Sequence, residues 1–194
     1  MNTLSEKQMW IENQEQRFAL QLATDVIPAP QLSFWMVLIP IFIIYHLFRH
    51  NRIVISRKAF AEHYMLSRRR ALTEAYSAIS ETRAPDIGAI SDQATGLPGV
   101  AATPYRLWIE CLVAHYMDLL NANGSDYHEL IRQAYRTRTN YLLFMNQVHR
   151  LEQALHQALK EHVAGTSEDV AATIAHIQNC TTQRHRNQAD AFFA

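Results

Sequence analysis

The sequence predicts an all-α protein with one membrane-inserted helix, and three observations predict it. Apolar residues recur at three- and four-residue spacing through most of the chain, the period of a helix with one buried face. Residues 32–48 are seventeen consecutive positions without a formal charge and with bulky side chains on every side. Proline and glycine gather at a few points between the periodic stretches, where they end helices rather than interrupt them. The expected order is an N-terminal amphipathic helix (1–30), a proline-kinked membrane segment (31–48), a basic juxtamembrane helix (49–83), a Pro/Gly-rich linker (84–103) and an antiparallel helical bundle (104–194).

In the first element, Leu4, Ile11, Phe18, Leu22 and Val26 share a helical face with Trp10 beside it, and the polar run 13–17 breaks the stripe. That break suits a helix lying on a surface or packed on a partner. Pro28 and Pro30 end it, because proline removes a donor and pushes its predecessor out of the helical region.

At about 1.5 Å per residue, 32–48 spans roughly 25 Å, slightly less than the ~30 Å hydrocarbon layer. A crossing therefore needs the flanking residues, and Pro40 at its middle makes a re-entrant segment the competing geometry. A buried central helix of a soluble fold is the third possibility. Trp35 and Tyr45 stand where interface aromatics belong, and Arg49, Arg52, Arg57 and Lys58 form a basic collar on the C-terminal side. Together with Pro40 these are the expected lipid contacts. The collar places the C-terminal bundle in the cytoplasm; a crossing puts the N-terminus outside, and re-entry leaves residues 4–26 on the membrane surface.

Beyond the collar, residues 56–82 read as a helix with Phe60, Tyr64, Leu72, Ala75, Tyr76 and Ile79 on one face. Residues 83–103 read as a loop of about twenty residues, with a type II turn at Leu97-Pro98-Gly99. Thr103 and Pro104 have the pattern of an N-cap and first helical position, opening a helix with Tyr105, Trp108, Leu112, Tyr116 and Leu119 on its face. After the turn at 121–125, Asp126 and Glu129 fit a capping box for a long helix. Its coiled-coil-like spacing runs through Tyr127, Ile131, Ala134, Tyr141, Met145, Val148, Leu155 and Leu159. Gly165 stops it, and Ser167 starts a last helix carrying Val170, Ile174 and Ile177.

The formal net charge is zero, but it is unevenly distributed. Residues 1–30 carry four acids and two bases, 31–48 none, 49–83 eight bases and three acids, and 84–194 eight bases and eleven acids. The sharpest local feature is Arg68-Arg69-Arg70. These arginines suit anionic headgroups or an acidic partner surface; a nucleic-acid reader would need a wider basic face. Tyr135 and Phe144, with Tyr127 and Tyr141, surround the long helix too widely for one core-facing stripe and are expected to meet a partner along with the three arginines.

Two cysteines, Cys111 and Cys180, have no zinc-site spacing and cannot build a disulfide framework. The first thirty residues are polar and acidic, unlike a cleavable secretory signal. No GxSxG, HExxH, GxxxxGK[ST] or GxGxxG motif is present, and no Glu-x-x-His pair supplies a di-metal site. Neither a catalytic residue nor a metal is expected. The expected function is that of a membrane-anchored accessory or scaffolding subunit of a larger complex, with anionic lipids and other subunits as partners and self-association compatible with the bundle. The alternative is a redox subunit, in which His46 and His50, four apart at the membrane edge, serve haem or sit beside a quinone. A nucleic-acid-linked tether using residues 56–83 is the third class considered.

Overall fold

The computed structural model describes residues 2–27, 40–94, 97–159 and 167–194, which form seven α-helices and no strand. They are α1 (Leu4–Val26), α2 (Pro40–Ser80), α3 (Ile87–Asp92), α4 (Gly99–Asn121), α5 (Tyr127–Tyr135), α6 (Arg138–Leu159) and α7 (Ser167–Phe192). Residues 31–39 of the expected membrane segment, Trp35 among them, lie outside the described residues. So do the side chains of Pro40, Tyr45, His46, Arg49, His50 and Arg52, whose backbone belongs to α2. Among the described residues no helix is long and apolar enough to cross a membrane.

A capping box opens α1: the Thr3 hydroxyl accepts the Glu6 N–H at 3.2 Å, and the Glu6 carboxylate accepts the Thr3 N–H at 2.7 Å. The helix then buries Ile11, Phe18, Ala19, Leu22 and Ala23, so it is a member of the bundle and not a surface-lying appendage. It runs antiparallel to α2, as Glu12 against Arg69, Phe18 against Tyr64 and the Ile27 carbonyl against Arg57 show. The collar residue Arg57 is therefore committed to that carbonyl at 2.8 Å, and Lys58 is exposed.

α2 is one uninterrupted helix of 41 residues, about 60 Å long at 1.5 Å per residue. Its inward stripe is Ala61, Met65, Arg68, Ala71, Leu72, Ala75 and Ala78. The alanines let α1 and α4 approach closely, and the expected face of Phe60, Tyr64 and Tyr76 sits at its margin, only partly buried.

The linker is more structured than its composition implies. Arg83 donates to Glu74 at 2.6 Å, the Asp86 N–H donates to the same carboxylate at 2.6 Å, and Asp86 in turn caps α3 through the Ala89 N–H at 2.9 Å. This connection carries the chain back along the bundle, so α4 runs parallel to α2: Ser67 meets Tyr105 at 3.2 Å, while Lys7, opposite the far end of α2, donates to the Leu120 and Ala122 carbonyls. α4 begins at Gly99 with Pro98 as its cap residue, a turn earlier than the Thr103-Pro104 pattern indicates. Pro104 is tolerated inside because the carbonyl it leaves unbonded belongs to Val100, which is 65% exposed.

The expected long helix from Asp126 is two helices. Arg136 takes φ 63°, Thr137 caps the next helix through the Asn140 N–H at 3.2 Å, and Asn140 donates back to the Tyr135 carbonyl at 3.0 Å. At the start of α5, Asp126 accepts the Glu129 N–H at 2.8 Å, but the Glu129 carboxylate takes Ser125 rather than Asp126, so the capping box is shifted by one residue. α4, α6 and α7 are antiparallel in sequence, as expected. α1 and the C-terminal part of α2 complete the same core, which unites Ile11, Leu72, Leu112, Tyr116, Tyr141 and Phe192.

Candidate functional site

Three helices each place one charged residue in an otherwise apolar stripe. α1 reads Ile11, Glu15, Phe18, Leu22; α2 reads Met65, Arg68, Leu72, Ala75; α6 reads Tyr141, Val148, Glu152, Leu155. Because these stripes face one another, the three charges meet inside the bundle. Arg68 is 5% exposed and forms ion pairs with Glu15 at 3.4 Å and Glu152 at 3.2 Å. Its guanidinium lies over the Tyr64 ring at 4.6 Å and beside the Trp108 ring at 5.9 Å. The Tyr116 hydroxyl donates to the second Glu15 oxygen at 3.1 Å.

Burial works against the Arg68 charge, but Tyr64, Glu15, Tyr116 and Glu152 more than offset it, so its pKa is raised and it stays a cation. The Tyr64 and Tyr116 phenols are pushed up, by burial first. The Tyr116 hydroxyl satisfies the Glu15 oxygen that Arg68 does not reach.

Next to this centre lies a cavity of about 20 Å³, lined by Arg68, Glu15, His115, Tyr127, Tyr141 and His185 among others. It is large enough for about one water molecule and too small for a substrate. His115 is 3% exposed, with Nδ1 2.6 Å from the Tyr135 hydroxyl and its ring stacked on Phe144 at 4.4 Å. Burial, then Arg68 and His185, lowers its pKa to about 3, so it is neutral at physiological pH. His185 is shifted the same way by burial, Arg68 and His149, and its ring stacks on Phe18 at 4.8 Å.

These positions revise the sequence-based partner surface. Arg68 points into the core. Arg69 stays partly exposed but is held by Glu12, Glu62 and Gln16, and Arg70 donates to the Gln93 carbonyl at 3.3 Å. Tyr135 and Phe144 are partly buried against the core around His115, which absorbs the aromatic excess of the long helix. Cys111 has its thiol pushed up to about 11, by burial first and then Glu152, and the histidine four residues on is engaged by Tyr135. Among the described residues no three His, Cys, Asp or Glu side chains are grouped to hold a metal ion. His156 contacts Gln178 at 3.3 Å.

No protein-family model, curated protein or solved structure matches this chain. Its chemistry is therefore read from its own residues. The centre has the build of a structural lock: its charges face one another, the Tyr64 hydroxyl, Arg68 Nε and Trp108 Nε1 are buried there without a hydrogen-bond partner among the described residues, and the space beside them admits about one water.

The buried histidine gives a pH dependence with a definite sign. The folded state keeps His115 neutral down to about pH 3, whereas the unfolded chain protonates it near the ordinary histidine value of about 6.5. Stability is thus complete above about pH 6.5 and falls below it, by about 1 kcal/mol per pH unit from this residue. Urea unfolding at pH 8, 6.5 and 5 is expected to show the decline, and His115→Gln to make it shallower while the share due to His185 remains. Equal slopes in the two proteins contradict the assignment.

Proposed function

We propose that the chain is a membrane-tethered helical bundle that serves as an accessory or scaffolding subunit of a larger membrane-associated complex. The observation that carries this reading is the continuity of α2. The uncharged run ends at Phe48, inside a helix that continues past Arg57 and on through the core to Ser80. Anything that holds the apolar segment therefore also orients the bundle, through a helix and not a flexible linker. α1 ends at Val26, level with Arg57, so residues 40–56 of α2 extend beyond it.

The charge order supports the same reading. Arg49, Arg52, Arg57 and Lys58 follow within ten residues of an uncharged stretch, the arrangement that keeps a flank on the cytoplasmic, anionic side of a bilayer. Since the polar centre is enclosed and the cavity beside it admits about one water, contact with other subunits falls to the outer faces. On α4, Val100 and Leu107 stand two turns apart on one face, 65% and 48% exposed.

Expression of the full chain in cells tests the tether. The chain is expected to stay with membranes through alkaline carbonate washing. The double substitution Ile41→Lys, Ile43→Lys is expected to release it, since each lysine at membrane depth costs about 2.5–3.5 kcal/mol. Release of the unsubstituted chain by carbonate overturns the reading.

A further inference from the structure

We propose that the groove between α6 and α7 is a binding site for a small aliphatic carboxylate. A cavity of about 160 Å³ opens there. On α6 it is lined by Leu142, Met145, Asn146 and His149, which at spacings of three and four form one stripe; on α7 it is lined by Thr182, His185 and Arg186. A volume of about 150 Å³ admits a benzene-sized molecule, so a carboxylate on a stem of three or four carbons fits.

The lining specifies the ligand's charge. No Asp or Glu lines the groove, whereas a guanidinium, an amide, a hydroxyl and two imidazoles do. Of the other arginines of α6 and α7, Arg184 pairs with Asp25 and Arg138 with Asp190, and Arg150 does not line the groove. Arg186 has neither an ion pair nor a hydrogen bond among the described residues, and its planar fork matches a carboxylate in two parallel bonds. Asn146 and Thr182 offer further donors at the same opening. Leu142 and Met145 supply an apolar floor that inorganic phosphate cannot use, which favours an oxyanion on a hydrocarbon stem. Behind the floor, His185 lines both this groove and the small cavity beside Arg68, which places the ligand one ring away from the buried centre.

Titration of the full chain in mild detergent with butyrate, followed by amide chemical shifts, tests the site. Saturable shifts confined to α6 and α7 are expected. Arg186→Met is expected to weaken binding at least tenfold, with its unfolding midpoint showing that the fold is intact. Arg106→Met, which removes the same charge from an exposed site on α4, is expected to leave binding unchanged. Absence of saturation, equal weakening by the two substitutions, or inorganic phosphate binding as tightly as butyrate overturns the proposal. Should Arg186→Met fold poorly, Thr182→Val is the second variant, with several-fold weaker binding expected and no change overturning it.

Discussion

Replacing Arg68 with methionine is expected to destabilise the bundle by about 3–5 kcal/mol, the range for removing one partner of a buried ion pair. Methionine fills much of the same space, so the cost does not come from a void. It comes from Glu15 and Glu152, whose side chains are 11% and 14% exposed and which lose their cation while staying under the same apolar cover. Changing the two glutamates as well therefore restores stability. In a Glu15→Gln, Glu152→Gln background, where the Tyr116 hydroxyl can still bond an amide oxygen, Arg68→Met is expected to cost less than about half as much. Urea unfolding of the four proteins closes the cycle. An equal cost in both backgrounds contradicts the view that the charges act as one unit.

The second large effect is expected at Phe192. This side chain is 2% exposed, and its ring meets His128 at 4.8 Å, Tyr127 at 5.6 Å and Tyr141 at 5.7 Å, each edge to face. Through it α7 is fastened to both α5 and α6, with a further bond from Arg132 to the Phe192 carbonyl at 3.3 Å. Phe192→Ala removes the ring from three aromatic neighbours and opens a cavity, at an expected cost of about 3–5 kcal/mol. Hydrogen exchange in α7 is expected to accelerate along with the loss of global stability, because the helix's other ties to the bundle include the more exposed pairs of Arg184 with Asp25 and Arg138 with Asp190. A loss below about 1 kcal/mol shows that α7 is held elsewhere.

The all-helical architecture is legible in the sequence because a buried helical face repeats every three or four residues, whatever lies opposite it. Tyr105, Trp108, Leu112, Tyr116 and Leu119 can be read directly as the buried face of α4 for that reason. The polar centre is harder to read. In α1 the run 13–17 looks like an interruption of the stripe, yet Glu15 within it keeps the spacing from Ile11 to Phe18 to Leu22. In α2, Arg68 sits between two more arginines and looks like part of a basic surface, yet Met65, Arg68, Leu72 and Ala75 follow the same period. A charged residue that keeps an apolar period, matched by an opposite charge on another helix, is a signal that a single helix read alone does not reveal.

The break between α5 and α6 is hidden for a related reason. Apolar spacing continues through Ala134 and Tyr141 as if the helix did, while the break depends on the cap-forming Thr137 and Asn140 alone, with no glycine or proline to mark it. The parallel course of α2 and α4 is a tertiary fact: the short helix α3 and the Glu74 bridge between Arg83 and Asp86 turn the chain, and no periodicity records that.

The membrane tether is tested most directly by flotation. Purified full chain is mixed with vesicles containing anionic lipid and centrifuged through a density gradient at low salt and again at about 1 M salt, where the Debye length falls to about 3 Å and headgroup attraction is screened. If residues 31–48 insert, the chain floats with the vesicles under both conditions, and a chain lacking those residues no longer floats at high salt. A full chain that stays at the bottom, or that rises only at low salt, contradicts insertion and with it the tether.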